Sequence, residues 1–175
     1  MEENIIIRPP TSRDAPAMRD LAEQSQVLSV NSTYYYALMA RHFQETSMVA
    51  ESNGELCAFL TGYSPPRYDN TLFVWQVGVG KKWQGKGLGK KLLIELVVER
   101  QPLFLEATIT LDNKQSINLF RSVARHFSAD HLFTTMPFFV EEDLGAGEEA
   151  EHLMRVGPFE TIKSTFMYGG TNAYI

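Results

Sequence analysis

Between Val74 and Leu93 the chain reads VWQVGVGKKWQGKGLGKKLL, a β-branched and aromatic run that passes through Gly80, Gly85, Gly87 and Gly89 into an amphipathic one. Lys81, Lys82, Lys86, Lys90 and Lys91 crowd the same joint. Glycine lets a backbone close on a ligand, and a helix N-terminus offers it free N–H groups and partial positive charge. The chemistry to expect is the holding of a phosphate-bearing anion. A second cluster, Glu141, Glu142, Asp143, Glu148, Glu149 and Glu151, is acidic. Carboxylates so grouped suit an ammonium ligand and can take a proton from it. For either cluster alone, a solvated face is the plain alternative.

Spacing decides what kind of glycine loop this is. Gly80 to Gly87, GKKWQGKG, nearly satisfies the P-loop pattern, but Gly87 replaces the hydroxyl that should hold Mg²⁺. The dinucleotide pattern G-x-G-x-x-G also fails, because Gly85, Gly87 and Gly89 alternate and the third glycine comes one residue early. A solvated hairpin does not explain why a helix begins inside the glycines. The pattern that fits is Q-x-x-G-x-G, Gln84, Gly87 and Gly89, directly after the strand WQVGV.

The elements that position this loop can be read from periodicity. Ile5 to Ile7 is a strand, and a helix starting near Thr11 and Asp14 carries Met18, Leu21 and Ala22 on one face. A second helix, STYYYALMARHFQET, starts at Asn31 or Ser32. Met48–Glu51 and Glu55–Tyr63 form a hairpin about Asn53-Gly54. Leu72–Val79 is a strand, Leu88–Arg100 a helix closed by Pro102, Leu103–Thr110 a strand and Asn113–Val123 a helix. His131–Phe139 and Glu151–Val156 are two further strands around an acidic loop. The order β-α-α-β-β-β-α-β-α-β-β predicts a mixed α/β sheet. Ligands are expected at its strand–helix junctions, residues 79–88 and 110–114.

The bulk composition narrows the function. A chain of 175 residues suits one domain. Net charge of −5 argues against a nucleic-acid partner, which needs a broad basic surface. No apolar run spans a bilayer, and the acidic start MEEN is unlike a signal peptide. The single cysteine, Cys57, rules out an internal disulfide and suits a reducing cytoplasm. His42, His126, His131 and His152 have no metal-ligand spacing.

A second segment, LDNKQSINLFRS, follows the next strand with the pattern N-x-x-[AS]-x-x-[LF]-[YF], met by Asn113, Ser116, Leu119 and Phe120. With the glycine loop, it makes the sequence resemble the GNAT superfamily of N-acetyltransferases. The resemblance implies one domain over residues 1–175, with 158–175 as a C-terminal tail. The implied fold is α/β (α+β), a mixed central sheet splayed at its central strand through a bulge and flanked by helices. It implies acetyl-CoA as cosubstrate and no metal. Gln84, Gly85, Lys86, Gly87, Gly89 and Lys90 are the implied phosphate cradle, and Val77 and Val79 the strand edge along which the coenzyme lies. The Val79 N–H is the implied donor to the thioester carbonyl. Asn113 is expected to meet the pantetheine arm or its phosphates, Ser116 to allow close approach, and Phe120 to line the thioester. Phe120 stands where many members carry tyrosine, so the thiolate is expected to leave unprotonated or to take its proton from water or from the substrate ammonium.

The runs LSVNSTYYYALMARHF and FVWQVGV and the acidic segment before HLMRV extend the resemblance. They point to a branch that acetylates the 4-amino group of L-2,4-diaminobutyrate on the way to ectoine. That acceptor carries two ammonium groups and a carboxylate. Glu148, Glu149 and Glu151 suit the cations, with Glu149 and Glu151 expected on one strand face. Either Glu151 or Glu149 is the candidate base. Trp75, just before the expected bulge, suits an ammonium by a cation–π contact. Asn31, Ser32 and Tyr34, at the start of the second helix, suit the carboxylate. The aromatic tail TFMYGGTNAYI is expected to cover the site, and a homodimer is expected. Two rivals stay open: another small amine or a protein N-terminus as acceptor, and an acetyl-CoA-binding module without catalysis.

Overall fold

A computed structural model describes residues 4–25 and 28–160. Seven strands form one sheet in the order β1-β2-β3-β4-β5-β7-β6. They are β1 Ile6–Arg8, β2 Met48–Ser52, β3 Glu55–Tyr63, β4 Thr71–Val79, β5 Phe104–Thr110, β6 His131–Phe133 and β7 Glu151–Val156. Only β4 and β5 pair in parallel, joined by the crossover helix α3, Leu88–Arg100. The remaining pairings are antiparallel. Asn53 and Gly54 both take positive φ, 52° and 79°, which closes the tight β2–β3 turn.

Two apolar clusters flank the sheet. On one face α1, Ala15–Ser25, and α2, Thr33–His42, bury Met18, Leu21, Ala22 and Tyr36 against Val49 and Phe59. On the other, α3 and α4, Lys114–Phe127, bury Leu92, Leu93, Leu96, Ile117 and Val123 against Leu72, Leu105, Ala107 and Met154. The helical spacing of the α3 leucines is what makes that side continuous. Gln101, at φ 47°, ends α3 by donating its N–H to Val97 O at 2.9 Å, and Pro102 follows.

The structure departs from the sequence reading at several places. The second helix is shorter than expected and ends at His42, with a separate 3₁₀ turn over Gln44–Thr46. α4 runs four residues past Val123, because Ala124 continues its buried stripe. β6 stops at Phe133 rather than Phe139. Pro137 lacks the N–H a ladder needs, and Phe139 returns only as an isolated bridge to Glu151. The acidic loop also contains one short helix, α5, Glu141–Leu144. The aromatic tail lies outside the described residues.

Candidate active site

β4 is the centre of the site because it has a partner along its length on one side only. β3 follows it to Ala58↔Val79, whereas β5 leaves it after Phe73↔Glu106. Gly80 N–H donates to Cys57 O at 2.9 Å. Alternation along the strand then turns Gly78 and Gln76 to β3, and the N–H and C=O groups of Val77 and Val79 into the opening. Main-chain groups on an edge that β5 leaves open will bind an extended ligand that carries amides, much as an added strand would. The side chain of Gln84 lies beside this edge, with Nε2 3.3 Å from Val79 O.

At the end of β4 the chain turns through Lys81–Trp83 and enters α3 by Gly85 and Gly87, at φ 76° and 75°. A Cβ at either glycine would meet nothing within 4 Å, so what they supply is left-handed backbone rather than room. Gly87 caps α3 without a side-chain bond, and the first turn carries no acid. The helix N-terminus is thus left as an anion site. Gly89 faces the contact of α3 with β4 and α4, where a Cβ would make ordinary contacts, 3.4 Å from Val77 and 3.6 Å from Leu119. Lys86 Nζ lies 4.6 Å from the centre of the Trp83 ring, and Lys82 pairs with Glu55 at 2.5 Å. Lys90 is half-buried one residue into the helix beyond Gly89.

α4 begins in the same opening. Asn113 Oδ1 accepts from Ser116 N–H at 3.0 Å, which caps α4 and leaves the two NH₂ donors of Asn113 for a ligand. Ser116 is half-buried. Phe120, expected at the thioester, is 3% exposed and packs in the main core with Ile117 and Val123, since it falls on the inward stripe of α4.

The groups expected to meet an acceptor lie on the opposite face of the sheet. The β3–β4 register jumps from Thr61↔Gln76 to Gly62↔Val74 and leaves Trp75 as the extra residue. Trp75 is therefore the bulge itself, not the residue before it. A bulge sets two successive side chains toward one face, and both meet α2: the Trp75 ring lies 5.4 Å from that of Tyr35, and Gln76 Oε1 accepts from Tyr36 Oη at 3.1 Å. Trp75 is 51% exposed and shares this open wall with Tyr63, 6.3 Å away. Tyr34, the expected contact, is 76% exposed. Consecutive helical residues differ by about 100°; Tyr36 takes the inward place and Tyr35 the one that faces Trp75. Asn31 is half-buried. Burial pushes the Tyr36 phenol up, and the polar groups of Asn31 oppose that shift.

Strands β5 and β7 bring charge to this face. Arg155 reaches Glu106 Oε1 through Nε and Nη2, both at 2.5 Å, and its guanidinium stacks 5.0 Å from the Phe104 ring. Glu151, half-buried and opposite Thr110, accepts a hydrogen bond from the Thr108 hydroxyl. Glu151 is the one expected glutamate on the sheet. β7 starts there, so strand alternation does not extend to Glu149, which is exposed and reaches Asp112 at the β5–α4 turn. Glu148 is exposed, its N–H donating to Gly145 O at 3.1 Å. Glu106, Thr108 and Arg155 were not anticipated. Glu106, 8% exposed, was the visible signal: a charge inside the apolar strand FLEATIT.

A cavity of about 280 Å³ lies at the other end of the sheet, between Asn70, Arg100, Leu103 and Phe159, and none of these groups line it. Among the described residues, no cluster of His, Cys, Asp and Glu could hold a metal.

The profile of the Acetyltransferase (GNAT) family matches residues 15–124, from the start of α1 through most of α4. The chain is 38% identical over 163 residues to the L-2,4-diaminobutyric acid acetyltransferase of Halalkalibacterium halodurans, spanning 90% of this chain and 84% of that one. Against its counterpart from Marinococcus halophilus the identity is 39%, over 90% of this chain and 92% of the relative. Among solved structures it resembles the diaminobutyrate acetyltransferase of Paenibacillus lautus, determined with L-2,4-diaminobutyric acid and coenzyme A. There the TM-score is 0.83 at 31% identity, covering 90% of this chain and 97% of the other. An acetyltransferase of Salmonella typhimurium solved with acetyl-CoA shares the fold, with a TM-score of 0.68 at 21% identity over 91% and 96% of the two chains. The splayed strand, the glycine-opened helix and these likenesses agree: the chain belongs to the GNAT acetyltransferase family and, within it, to the L-2,4-diaminobutyric acid acetyltransferases.

Proposed function

We propose that this protein transfers the acetyl group of acetyl-CoA to the 4-amino group of L-2,4-diaminobutyrate, giving N4-acetyl-L-2,4-diaminobutyrate and coenzyme A, a step of ectoine synthesis. The observation that carries this is the opening of β4 from β5, with a coenzyme-type cradle on one side and an aromatic, carboxylate-bearing face on the other. The pyrophosphate rests on the N–H groups of Gln84–Gly89, with Lys86 and Lys90 adding attraction, and the pantetheine arm runs along Val77 and Val79 toward Asn113 and Ser116. Acceptor ammonium groups meet Trp75 and Glu151, while Asn31 and the start of α2 receive the carboxylate.

The 4-ammonium, with a solution pKa of about 10, must shed a proton before it attacks. Glu151 anchors it and accepts that proton, directly or through a water. The free amine adds to the thioester carbon, and the oxyanion is held by the Val79 N–H, with Val77 N–H two residues away on the same edge. The C–S bond then breaks, and the thiolate takes a proton from the nitrogen that has just become acylated. No protein acid is needed, in keeping with the place of Phe120.

Thiol release from acetyl-CoA, measured with diaminobutyrate beside ornithine, lysine, putrescine and spermidine, tests this reading. Preference for diaminobutyrate, with NMR placing the acetyl on N4, is the expected result. Coenzyme binding with turnover of none of these amines overturns it. We further propose a cytoplasmic homodimer. Leu132, Met136 and Phe138, each more than half exposed, line the edge formed by β6 and the segment after it, and burying them suits a second copy. Cys57 is buried, and no described helix is long and apolar enough to cross a membrane. Light scattering should give the mass of two chains, with Met136→Glu/Phe138→Glu shifting it toward one. A wild-type protein that stays monomeric on concentration sinks the dimer.

A further inference from the structure

The face beneath α1 and α2 is largely apolar, and Gln76 from the bulged strand and its ladder partner Thr61, 3.2 Å from the Tyr35 hydroxyl, bring polar groups into it. Gln76 is 6% exposed and Tyr36 is fully buried, so their polar atoms need protein partners. Those partners lie on one segment. Tyr36 Oη donates to Gln76 Oε1 at 3.1 Å, and Gln76 Nε2 donates to Ser29 O at 2.7 Å. The same segment runs on through Asn31 to Ser32, whose hydroxyl caps α2 by accepting from the Tyr35 N–H at 3.2 Å. Residues 28–32 belong to no helix or strand, and this pair ties their backbone to the centre of the sheet.

We infer that Gln76 and Tyr36 are positioning residues. They fix Asn31 and the start of α2 against Trp75, and through them set the affinity for the amino-acid acceptor while leaving the coenzyme side untouched. The bulge makes this coupling possible, because it turns Gln76 to the same face as its neighbour Trp75. The coenzyme edge is insulated by the strand. Val77 points to the opposite face, toward Gly89 and Leu119. The kinetic part of this inference rests on the acceptor reading above; the structural part does not.

The test uses the full chain with Tyr36→Phe, which removes one oxygen, and Gln76→Met, which keeps the side-chain length. Hydrogen–deuterium exchange is read first, without any acceptor. Amides of residues 28–35 should exchange about tenfold faster in both variants, the scale of one lost hydrogen bond, with residues 84–92 unchanged. Steady-state kinetics follow. KM for diaminobutyrate should rise about tenfold, KM for acetyl-CoA should hold within a factor of about two, and the double variant should be no worse than either single one. Unchanged exchange at 28–35, or faster exchange in both segments, overturns the positioning role. Faster local exchange with an unchanged acceptor KM overturns the link to affinity. A wild-type protein that does not acetylate diaminobutyrate sinks the acceptor reading instead, and exchange alone then decides whether the pair positions the segment.

Discussion

Glu151 is held on the acceptor face by the Thr108 hydroxyl and by main-chain bonds to the 138–139 segment, Phe138 N–H reaching its carbonyl at 2.7 Å and Phe139 O accepting its N–H at 3.0 Å. A glutamine there keeps the size and the Thr108 contact but cannot accept a proton. Glu151→Gln should lower kcat by roughly 10²-fold, the usual scale of lost acid–base help, with KM for acetyl-CoA unchanged. Full turnover in steady-state assays of that variant removes Glu151 from the mechanism. The residues of the cradle were legible in the sequence because its geometry is local: Gln84, Gly85, Gly87 and Gly89 are read from spacing within six positions. The acceptor face was not, because its pairs are distant in the chain. Glu106 meets Arg155 forty-nine residues away and Thr108 meets Glu151 forty-three away. Nor could three successive tyrosines reveal which one turns inward, since that depends on how α2 seats on Phe59 and Gln76.

The bulge that exposes Trp75 depends on Gly62 across the ladder. A Cβ on Gly62 would lie 2.7 Å from Phe73 O and 2.9 Å from Thr46 O, both backbone atoms that cannot swing aside. Gly62→Ala should destabilise the protein by about 1–3 kcal/mol through overpacking. At about 2–4 °C per kcal/mol for a chain of this size, calorimetry should register the loss. If the bulge is disturbed, acceptor KM should suffer more than acetyl-CoA KM. A Tm within a degree of wild type would mean the ladder relaxes here without strain. Elements were legible where local signals agreed. Leu88–Arg100 came out with its predicted bounds, since Gly87, the leucine spacing and Pro102 all mark the same helix. The bulge left no such local mark: Thr61-Gly62 facing Val74-Trp75-Gln76 is a register between two strands, and periodicity within either one does not show it.

At the scale of the molecule, the acceptor face is closed by helices whose first turn is tied to the sheet edge through one ionic cluster. Arg8 on β1 bonds both carboxylate oxygens of Asp14 at 2.9 Å, just ahead of α1, and reaches Glu51 on β2 at 2.5 Å. The Arg8 guanidinium, helped by the Thr11 N–H and hydroxyl and opposed by burial, holds the Asp14 carboxyl below its usual range. Its folded pKa is thus below the unfolded value of about 3.9. The sign follows: the cluster's contribution from Asp14 is complete above that unfolded value and is lost as pH falls through the lower folded one. Arg8 is pushed the other way, upward, by its hydrogen bonds to the same carboxylates, so it stays charged throughout this window and adds no acid-range slope. Asp14→Asn should therefore lower stability at pH 7 by about 1–2 kcal/mol, at the low end for a hydrogen-bonded charge because the pair is partly exposed. The gap between wild type and variant should narrow as pH falls below the unfolded value of about 3.9 and close as wild-type Asp14 takes up its proton at the lower folded pKa. Urea denaturation between pH 7 and pH 2.5 measures this. A gap that stays constant into acid would show that Asp14 acts by packing and N-terminal geometry rather than by charge, and would separate the anchoring of α1 from the electrostatics of the sheet edge.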